Sequence, residues 1–251
     1  MEAGVTVLQG KKAVVTGGSR GIGRAIVERL ARDGADVVFT YASNAQAASE
    51  VEEAVKAEGG SAHAVHIDLA EPGAAERLME LAADHLGSVD IVVNNAAMSF
   101  TLSVIAETDE DLYDSVMAVN AKSTFLTTRY AARHMRDGGR VINISTINTV
   151  RPAPGIVAYA ASKGAVEQIT AVAAQELGPR GITVNTVSPG ATDTDLLRGT
   201  NPEESLRMAA SITPLRRLGQ PSDVADVVAF LAGPDGRWVT GQNIHAAGGM
   251  A

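Results

Sequence analysis

The chain of 251 residues contains no cysteine. Without a thiol it can form no disulfide and no zinc–thiolate site, and it cannot use a cysteine nucleophile. Aromatic residues are scarce at 4%, whereas hydrophobic residues make up 45% and charged residues 20%, the balance of an ordinary globular protein. The absence of cysteine excludes these sites but does not identify a compartment.

Long apolar runs and an excess of positive charge are also missing. No uninterrupted apolar run approaches the length of about 18 residues that a membrane span needs, and the first residues do not resemble a signal peptide. Lys and Arg number 21 against 29 Asp and Glu, which gives a net charge of −8. This charge disfavours nucleic acid or an anionic membrane as a partner. We expect a soluble, cytoplasmic protein.

The five histidines show no metal-binding pattern. His63 and His66 are three residues apart on an expected strand, so they face opposite sides and cannot share an ion. His85, His134 and His245 are isolated in the sequence, and no His-Glu-x-x-His motif occurs. The sequence therefore predicts no metal site.

What the sequence does contain is a glycine-rich turn between a strand and a helix. A short apolar, β-branched run at 12–16 is followed by Gly-Gly-Ser-Arg-Gly-Ile-Gly at 17–23 and by a helical pattern at 24–30. In such a turn, backbone N–H groups approach a pyrophosphate, and the helix N-terminus favours its negative charge. Residues 35–41 read as a second strand, so the unit predicts dinucleotide binding.

Strand and helix patterns alternate along the rest of the chain. Strands are expected at 62–67, 89–93, 140–144 and 182–187, and helices at 45–58, 73–86, 110–135 and 157–177. This alternation predicts a parallel sheet with helices on both faces. No linker or repeat interrupts it, so we expect one α/β Rossmann domain over 1–251, with a doubly wound parallel sheet of about seven strands.

Ligands of such sheets bind beyond the carboxyl ends of the strands. Polar residues that follow the expected strands are therefore candidates for a site, and these are Asp68, Asn94, Asn95, Ser145, Thr146 and Ser188.

Tyr159 and Lys163 are four residues apart in an expected helix, so their side chains share one face. A free phenol has a pKa near 10, and a nearby ammonium group lowers that pKa by stabilising the phenolate. A general acid or base works best when its pKa lies near the operating pH. Alone the pair is equally a solvated helix face, but beside a dinucleotide turn it indicates catalysis.

Together these motifs resemble the short-chain dehydrogenase/reductase family over essentially the whole chain, most of all its 3-oxoacyl-carrier-protein reductase members. The motifs at family spacing are Thr16-Gly17-x-x-x-Gly21-Ile22-Gly23, Asn94-Asn95-Ala96, Asn120, Tyr159-x-x-x-Lys163 and Pro189-Gly190. The resemblance implies that Tyr159 is the general acid/base. It also implies that Lys163 lowers the pKa of Tyr159 and binds the nicotinamide ribose, while Asn120 holds a relay water.

One position departs from the family pattern. The family usually has a serine thirteen residues before the tyrosine, where it binds the substrate oxygen, but this chain has Thr146 there with Ser145 just before it. Threonine offers the same hydroxyl donor and acceptor. Neighbouring residues of a strand point to opposite faces, so we expect Thr146 to serve, with Ser145 as the alternative.

The end of the second strand carries no carboxylate that would select NAD over NADP. Arg20 lies where similar NADP-dependent proteins place an arginine for the 2′-phosphate, so we expect NADP(H). The expected cofactor contacts are Gly17, Ser19, Arg20, Gly21, Ile22, Gly23, Tyr41, Ser43, Asp68, Leu69, Asn95, Ala96, Tyr159, Lys163, Pro189, Gly190, Thr192 and Thr194.

These inferences predict an NADPH-dependent ketoreductase, with a 3-oxoacyl thioester as the first substrate hypothesis and a free small or polycyclic ketone as the second. A cofactor-binding regulator without turnover is a hypothesis of another class. The resemblance implies a mobile lid at about 194–215 and a homotetramer built on the long helices. Candidate pocket walls are Met98, Phe100, Asn148, Val150 and Pro152.

Overall fold

The protein is built on one parallel sheet of seven strands. The computed structural model describes residues 6–98 and 102–251, so Phe100 lies outside the described residues. The strands are β1 (Lys12–Val15), β2 (Asp36–Tyr41), β3 (Ser61–His66), β4 (Ile91–Asn94), β5 (Arg140–Ile144), β6 (Thr183–Pro189) and β7 (Asn243–Ala246). Their order is β3-β2-β1-β4-β5-β6-β7, and every neighbouring pair is parallel. The predicted doubly wound fold is confirmed.

Residues 6–98 and 102–251 form nine α-helices, which cover both faces of the sheet. They are α1 (Gly21–Arg32), α2 (Ala45–Ala57), α3 (Ala74–Leu86), α4 (Glu110–Met117), α5 (Ser123–His134), α6 (Val157–Leu177), α7 (Asp195–Thr200), α8 (Glu203–Ile212) and α9 (Pro221–Ala232). One core packs α1, α2 and α9 against Val15, and the other packs α3, α5 and α6 against Val14. Successive residues of a strand point to opposite faces of the sheet, so β1 contributes side chains to both cores.

The helix expected at 110–135 is not continuous. α4 and α5 are joined by a turn of π-helix at Ala118–Lys122, which contains the buried Asn120. Such turns often occur at functional sites. The hydrophobic period of the sequence does not reveal the break, because one extra residue per turn barely disturbs the pattern.

Three further differences lie in the C-terminal quarter. The stretch from Leu196 to Ile212 has a helical pattern, but it forms parts of two helices, α7 and α8, and the break between them coincides with Pro202, which cannot donate a helical hydrogen bond. The strand β7 (Asn-Ile-His-Ala) lacks the apolar, β-branched run that marks the equally short β1 and β4, so it was not predicted. The helix α9 was not predicted, although Pro221 at its start and a Gln220–Asp223 capping box are typical of a helix N-terminus.

Within residues 6–98 and 102–251, none of the helices combines the length and hydropathy that crossing a membrane requires. The same part of the chain holds no group of three or more His, Asp or Glu side chains placed to bind a metal ion. His63 stacks instead on His85, with ring centroids 4.3 Å apart, while His66 packs on Tyr41.

Candidate active site

The glycine-rich turn leaves no space for a side chain at Gly18 or Gly23. A Cβ atom added to Gly23 would lie 2.0 Å from the carbonyl oxygen of Gly17, and one added to Gly18 would lie 2.6 Å from the Cβ of Phe39. Gly17 itself has φ of +67°, in the left-handed region that favours glycine. Glycine is therefore required for the turn to pack this closely, and such a tight turn lets backbone N–H groups approach a pyrophosphate.

The turn is fastened to the end of β4. The side-chain amide of Asn95 donates to the carbonyl oxygens of Thr16 and Gly17 at 3.0 and 2.9 Å. In return, the hydroxyl of Thr16 accepts from the backbone N–H groups of Asn95 and Ala96, both at 2.9 Å. Asn95 thus acts on the turn through its side chain, while Ala96 does so through its backbone.

The first turn of α1 has no side-chain cap in the described structure. Arg20 occupies the N-cap position in extended backbone, is exposed and makes no capping hydrogen bond. Ser19 and Ile22 flank it and are partly exposed. A Cβ on Gly21 would lie 3.3 Å from the Cγ2 of Thr194, so the start of α7 closes over this end of the helix. The N–H groups of α1 are left for an anionic ligand.

The ends of β2 and β3 bound the same region. Tyr41 ends β2, and its ring lies 5.3 Å from that of His66 at the end of β3. Ser43 is exposed one residue before the Asn44 cap of α2. Asp68 is exposed, and its carboxylate accepts from the N–H of Ala70 at 2.9 Å. Leu69, the next residue, is buried.

The end of β6 completes this edge. Pro189 is buried as the last residue of the strand. The backbone of Gly190 packs against Ala247, since a Cβ atom added to Gly190 would lie 3.1 Å from the Cα of Ala247. The hydroxyl of Thr192 donates to the carbonyl of Gly190 at 3.0 Å. Thr194 caps α7 by accepting from the N–H of Leu197 at 3.2 Å.

Tyr159 lies in the first turn of α6, and its side chain is hydrogen-bonded to that of Thr146, which follows β5. Burial raises the pKa of Tyr159 above its ordinary value of 10.0, and the hydrogen bond from Thr146 lowers that pKa in part. The expected net lowering of the pKa by Lys163 is therefore not what the structure shows. Loss of solvent around the phenolate outweighs the other influences.

Lys163 is buried beside this pair. Its Nζ donates to the carbonyl oxygen of Ile144 at 2.7 Å and lies 5.9 Å from the ring centroid of Tyr159. Burial lowers the pKa of Lys163 from 10.5 to about 8. The amine is thus mainly protonated at neutral pH, and it approaches its deprotonation at mildly alkaline pH.

Ser145 points away from Tyr159. Its hydroxyl donates to Oε1 of Glu167 on α6 at 2.7 Å. The hydroxyl of Thr146 instead meets Tyr159 and accepts from the N–H of Asn148 at 3.3 Å. The two neighbouring hydroxyls have separate partners, in agreement with the expectation that they cannot both serve.

Asn120 joins three parts of the site. Its Oδ1 accepts from the N–H of Met98 at 2.9 Å, and its Nδ2 donates to the hydroxyl of Ser162 at 3.0 Å. Ser162 in turn donates to the carbonyl of Tyr159 at 2.7 Å. The side chain therefore ties the loop after β4 to the first turns of α6, and the expected water relay remains a prediction.

Two of the polar residues expected at the ligand face the interior. Asn94 is buried. Its Nδ2 donates to the Oδ1 of Asn143 at 2.8 Å, and its own Oδ1 accepts from the hydroxyl of Thr127 at 2.7 Å. Ser188 is also buried, and its hydroxyl donates to Asn243 at 2.7 Å. The polar groups of these two residues are therefore hydrogen-bonded within the protein, and a role for them at the ligand stays a prediction.

Sequence reasoning missed Glu167 and Thr149. The hydroxyl of Thr149 donates to the same Oε1 of Glu167 at 2.8 Å. The signal for Glu167 was available, because it follows Lys163 by four residues and therefore continues the face of Tyr159. Among the expected pocket walls, Val150 and Pro152 are exposed, and Met98 and Asn148 are partly buried.

Comparisons with known proteins agree with this geometry. Residues 17–251 match the profile of the family described as Enoyl-(Acyl carrier protein) reductase. An uncharacterized oxidoreductase from Methylorubrum extorquens is 44% identical, and the match covers 97% of this chain and 98% of that protein.

Two solved structures extend the comparison. A short-chain dehydrogenase/reductase from Serratia marcescens is 43% identical, covers 97% of this chain and 98% of its own, and superposes with a TM-score of 0.92. The angucycline C-6 ketoreductase LanV, solved with bound NADP, is 42% identical, covers 97% and 96%, and has a TM-score of 0.91. This similarity along nearly the whole chain shows that the protein is an oxidoreductase and belongs to the short-chain dehydrogenase/reductase family.

Proposed function

We propose that the protein reduces a ketone to a secondary alcohol with NADPH, and that Tyr159 supplies the proton. The observation that carries this proposal is the hydrogen-bonded pair of Tyr159 and Thr146 beside the buried Lys163. The pair lies after β5, on the sheet edge that also carries the glycine-rich turn after β1. Because the strands are parallel, their carboxyl ends lie at the same edge of the sheet, and both sites are found there.

The residues at this edge fit a dinucleotide phosphate. The turn at 17–23 needs glycine at Gly18 and Gly23, as a tight phosphate-binding turn does, and the uncapped N-terminus of α1 offers N–H donors. Arg20 is exposed at this end, and the end of β2 presents Tyr41 and Ser43 rather than a carboxylate. A guanidinium group pairs well with a 2′-phosphate, and the LanV structure holds NADP. Both points support NADP(H) as the cofactor.

When bound, NADPH supplies the hydride that reaches the carbonyl carbon. The protein contributes a proton at the carbonyl oxygen, given by the hydroxyl of Tyr159. The raised pKa of Tyr159 keeps this hydroxyl protonated at neutral pH, as a general acid requires. The hydroxyl of Thr146 hydrogen-bonds the same carbonyl oxygen. The ammonium of Lys163 stabilises the phenolate that forms when Tyr159 gives up its proton. Asn120 keeps the first turns of α6 in place.

For the substrate we favour a free cyclic ketone over a carrier-bound thioester. The segment 102–105 is joined to the start of α6 by a bridge between Ser103 and Ile156, and it exposes apolar side chains. Further exposed apolar residues follow Thr194 on α7 and α8 and beyond; together these residues are Leu102, Val104, Ile105, Leu196, Met208, Ile212 and Leu215. Apolar walls suit a fused-ring ketone, and LanV is a ketoreductase of angucyclines.

A 3-oxoacyl thioester is the second candidate. The profile match to a family described by an acyl-carrier-protein substrate favours it. The net charge of −8 opposes it, because acyl carriers are acidic and dock on basic rims.

The experiment combines cofactor binding with turnover. Purified protein is titrated with NADPH and NADH by fluorescence, and NADPH oxidation is then followed with 1-tetralone, trans-1-decalone and acetoacetyl-coenzyme A. We expect tighter NADPH binding, and turnover that Tyr159→Phe lowers by about 10²–10⁴-fold without weakening NADPH binding. Tyr130→Phe, whose ring packs on His134 away from the site, is the control.

Each outcome decides between the hypotheses. Turnover of acetoacetyl-coenzyme A that exceeds that of the bicyclic ketones would move the substrate to the thioester class. Full turnover by Tyr159→Phe would overturn the mechanism. NADPH binding with no ketone reduced would favour the regulator instead.

We propose also that the protein assembles as a homotetramer. Large apolar side chains are exposed on the long helices, Phe125 on α5 and Val172 on α6, and again near β7, Phe230 and Trp238. Trp238 is 95% exposed, and an interface between subunits would bury it, since aromatic residues are enriched in interfaces. Light scattering at micromolar concentration should give four times the chain mass, and a monomer would contradict the proposal.

A further inference from the structure

One carboxylate holds the loop that carries Thr146. Oε1 of Glu167 accepts from the hydroxyl of Ser145 at 2.7 Å and from that of Thr149 at 2.8 Å. These residues lie on either side of Thr146, one just before it and one three residues after it. The short 3₁₀ turn Ile147–Thr149 is thus fixed to α6 from both of its sides.

The contact belongs to the same face of α6 as the catalytic pair. Tyr159, Lys163 and Glu167 follow one another at intervals of four residues, so their side chains form one row along the helix. A rise of about 1.5 Å per residue separates the first from the last by about 12 Å. Thr146 meets the Tyr159 end of this row, and Ser145 meets the Glu167 end.

The number of available protons shows which groups donate in the hydrogen bonds around Glu167. An ionised carboxylate only accepts, and each hydroxyl has a single proton to give. Ser145 also approaches the carbonyl of Lys163 at 3.4 Å, and Thr149 that of Thr146 at 3.0 Å, but the contacts to Glu167 are shorter and charge-assisted. With its proton committed to Glu167, Ser145 has none for a substrate oxygen.

We propose that Glu167 is a positioning residue, which holds Ser145 and Thr149 so that the hydroxyl of Thr146, and not that of Ser145, meets Tyr159 and the substrate oxygen. This inference rests on the proposed ketone reduction. Glu167 acts through the loop and touches neither the cofactor turn nor the reacting atoms. It settles by geometry which of two adjacent hydroxyls serves the reaction.

The test compares Glu167→Ala with Glu167→Gln and with Gln168→Ala, a change at the exposed neighbouring residue of the same helix. Misplacing a reacting group by about 1 Å can cost about 100-fold in rate. We expect Glu167→Ala to lower kcat for 1-tetralone by about 10- to 100-fold, with the Kd for NADPH unchanged. Glu167→Gln keeps an acceptor oxygen and should restore most of kcat, and Gln168→Ala should behave as wild type.

A double-mutant cycle separates positioning from general destabilisation. If Glu167 acts through Thr146, then Glu167→Ala should cost nothing further in a Thr146→Val background. Wild-type kcat in Glu167→Ala, equal losses in the Ala and Gln variants, or fully multiplying losses in the cycle would each overturn the proposal.

A crystal structure of Glu167→Ala with NADP gives a readout that does not depend on turnover. Residues 145–149 should shift, with the hydroxyl of Thr146 moved from Tyr159, and an unmoved loop would refute the inference. Failure of the proposed function is distinguishable, because it would appear as activity retained by Tyr159→Phe, whatever Glu167→Ala does.

Discussion

The glycine-rich turn and the segment 194–215 border the same edge of the sheet but are built in opposite ways. In the turn, Gly18 and Gly23 have backbone or side-chain atoms within 3 Å of where a Cβ would be, and Asn95 holds the carbonyls. In the segment, Met208 and Ile212 expose 61% and 57% of their surface. The first region is closely packed around its backbone, whereas the second leaves large apolar side chains largely exposed.

This difference explains which part of the function the sequence reveals. A ligand that binds to backbone needs glycine at set spacings, and such spacing can be read directly. A ligand that binds to exposed apolar side chains imposes only a general character, which many sequences satisfy. The sequence of the turn therefore indicates the class of cofactor, whereas the substrate class stays a proposal that rests on where the apolar residues lie.

The largest effect that we predict comes from filling the turn. Gly23→Ala places a Cβ 2.0 Å from the carbonyl of Gly17 and 2.5 Å from the amide of Asn95. The turn must then open, and we expect NADPH affinity to fall by at least about 100-fold, equivalent to about 2.7 kcal/mol. Isothermal titration calorimetry measures the loss.

Gly178→Ala is the matched control, because nothing lies within 4 Å of an added Cβ there and the backbone is helical. It should leave NADPH affinity unchanged. Equal affinities in Gly23→Ala and wild type would show that the turn is as adaptable as the segment 194–215, and the comparison would fail.

The next effect concerns the exposed charge of the turn. Arg20→Ala removes the guanidinium expected at the 2′-phosphate, so NADPH affinity should fall by about 10- to 100-fold while NADH affinity stays the same. Arg32→Ala, an exposed arginine in the last turn of the same helix, is the control. A parallel loss for both cofactors would mean that Arg20 does not read the 2′-phosphate.

Much of the fold followed from sequence because strands and helices alternate with clear periods. The end of the chain did not, because β7 reads Asn-Ile-His-Ala and lacks the apolar, β-branched run that marks the equally short β1 and β4. In the site, the spacing of Tyr159 and Lys163 located the pair, but it gave the wrong direction for the pKa of Tyr159. Burial causes that shift, and burial depends on the packed structure.

The choice between Ser145 and Thr146 also depends on contacts that the sequence does not reveal. Alternation along a strand predicts that only one of them faces Tyr159, and it does not say which. The carboxylate of Glu167 separates them, and this contact joins residues 22 apart in the chain. The sequence likewise places Asn94 and Ser188 at strand ends without revealing the side chains to which they donate, those of Asn143 and Asn243.

A third effect depends on pH. Burial lowers the pKa of Lys163 to about 8, so this amine loses its proton at lower pH than an ordinary lysine does. Below that pH the ammonium is present and supports ketone reduction, and above it the rate should fall. We expect kcat/KM with NADPH to decline by about tenfold per pH unit above about 8, measured from pH 6 to 10. A flat profile through pH 9.5 would show that the charge of Lys163 is not required.

The smallest effects should come from the segment 194–215. Met208→Ala and Ile212→Ala remove exposed surface, so thermal stability should change by less than about 0.5 kcal/mol, while KM for 1-tetralone rises by about two- to fivefold through lost apolar contact. Leu206→Ala on the same helix removes a side chain that is only 5% exposed and should cost about 2–5 kcal/mol of stability. Kinetics and thermal melts of the three variants measure both quantities. If Met208→Ala and Ile212→Ala melt early with unchanged KM, these side chains support the fold, and the contrast between a backbone-built and a side-chain-built region is wrong.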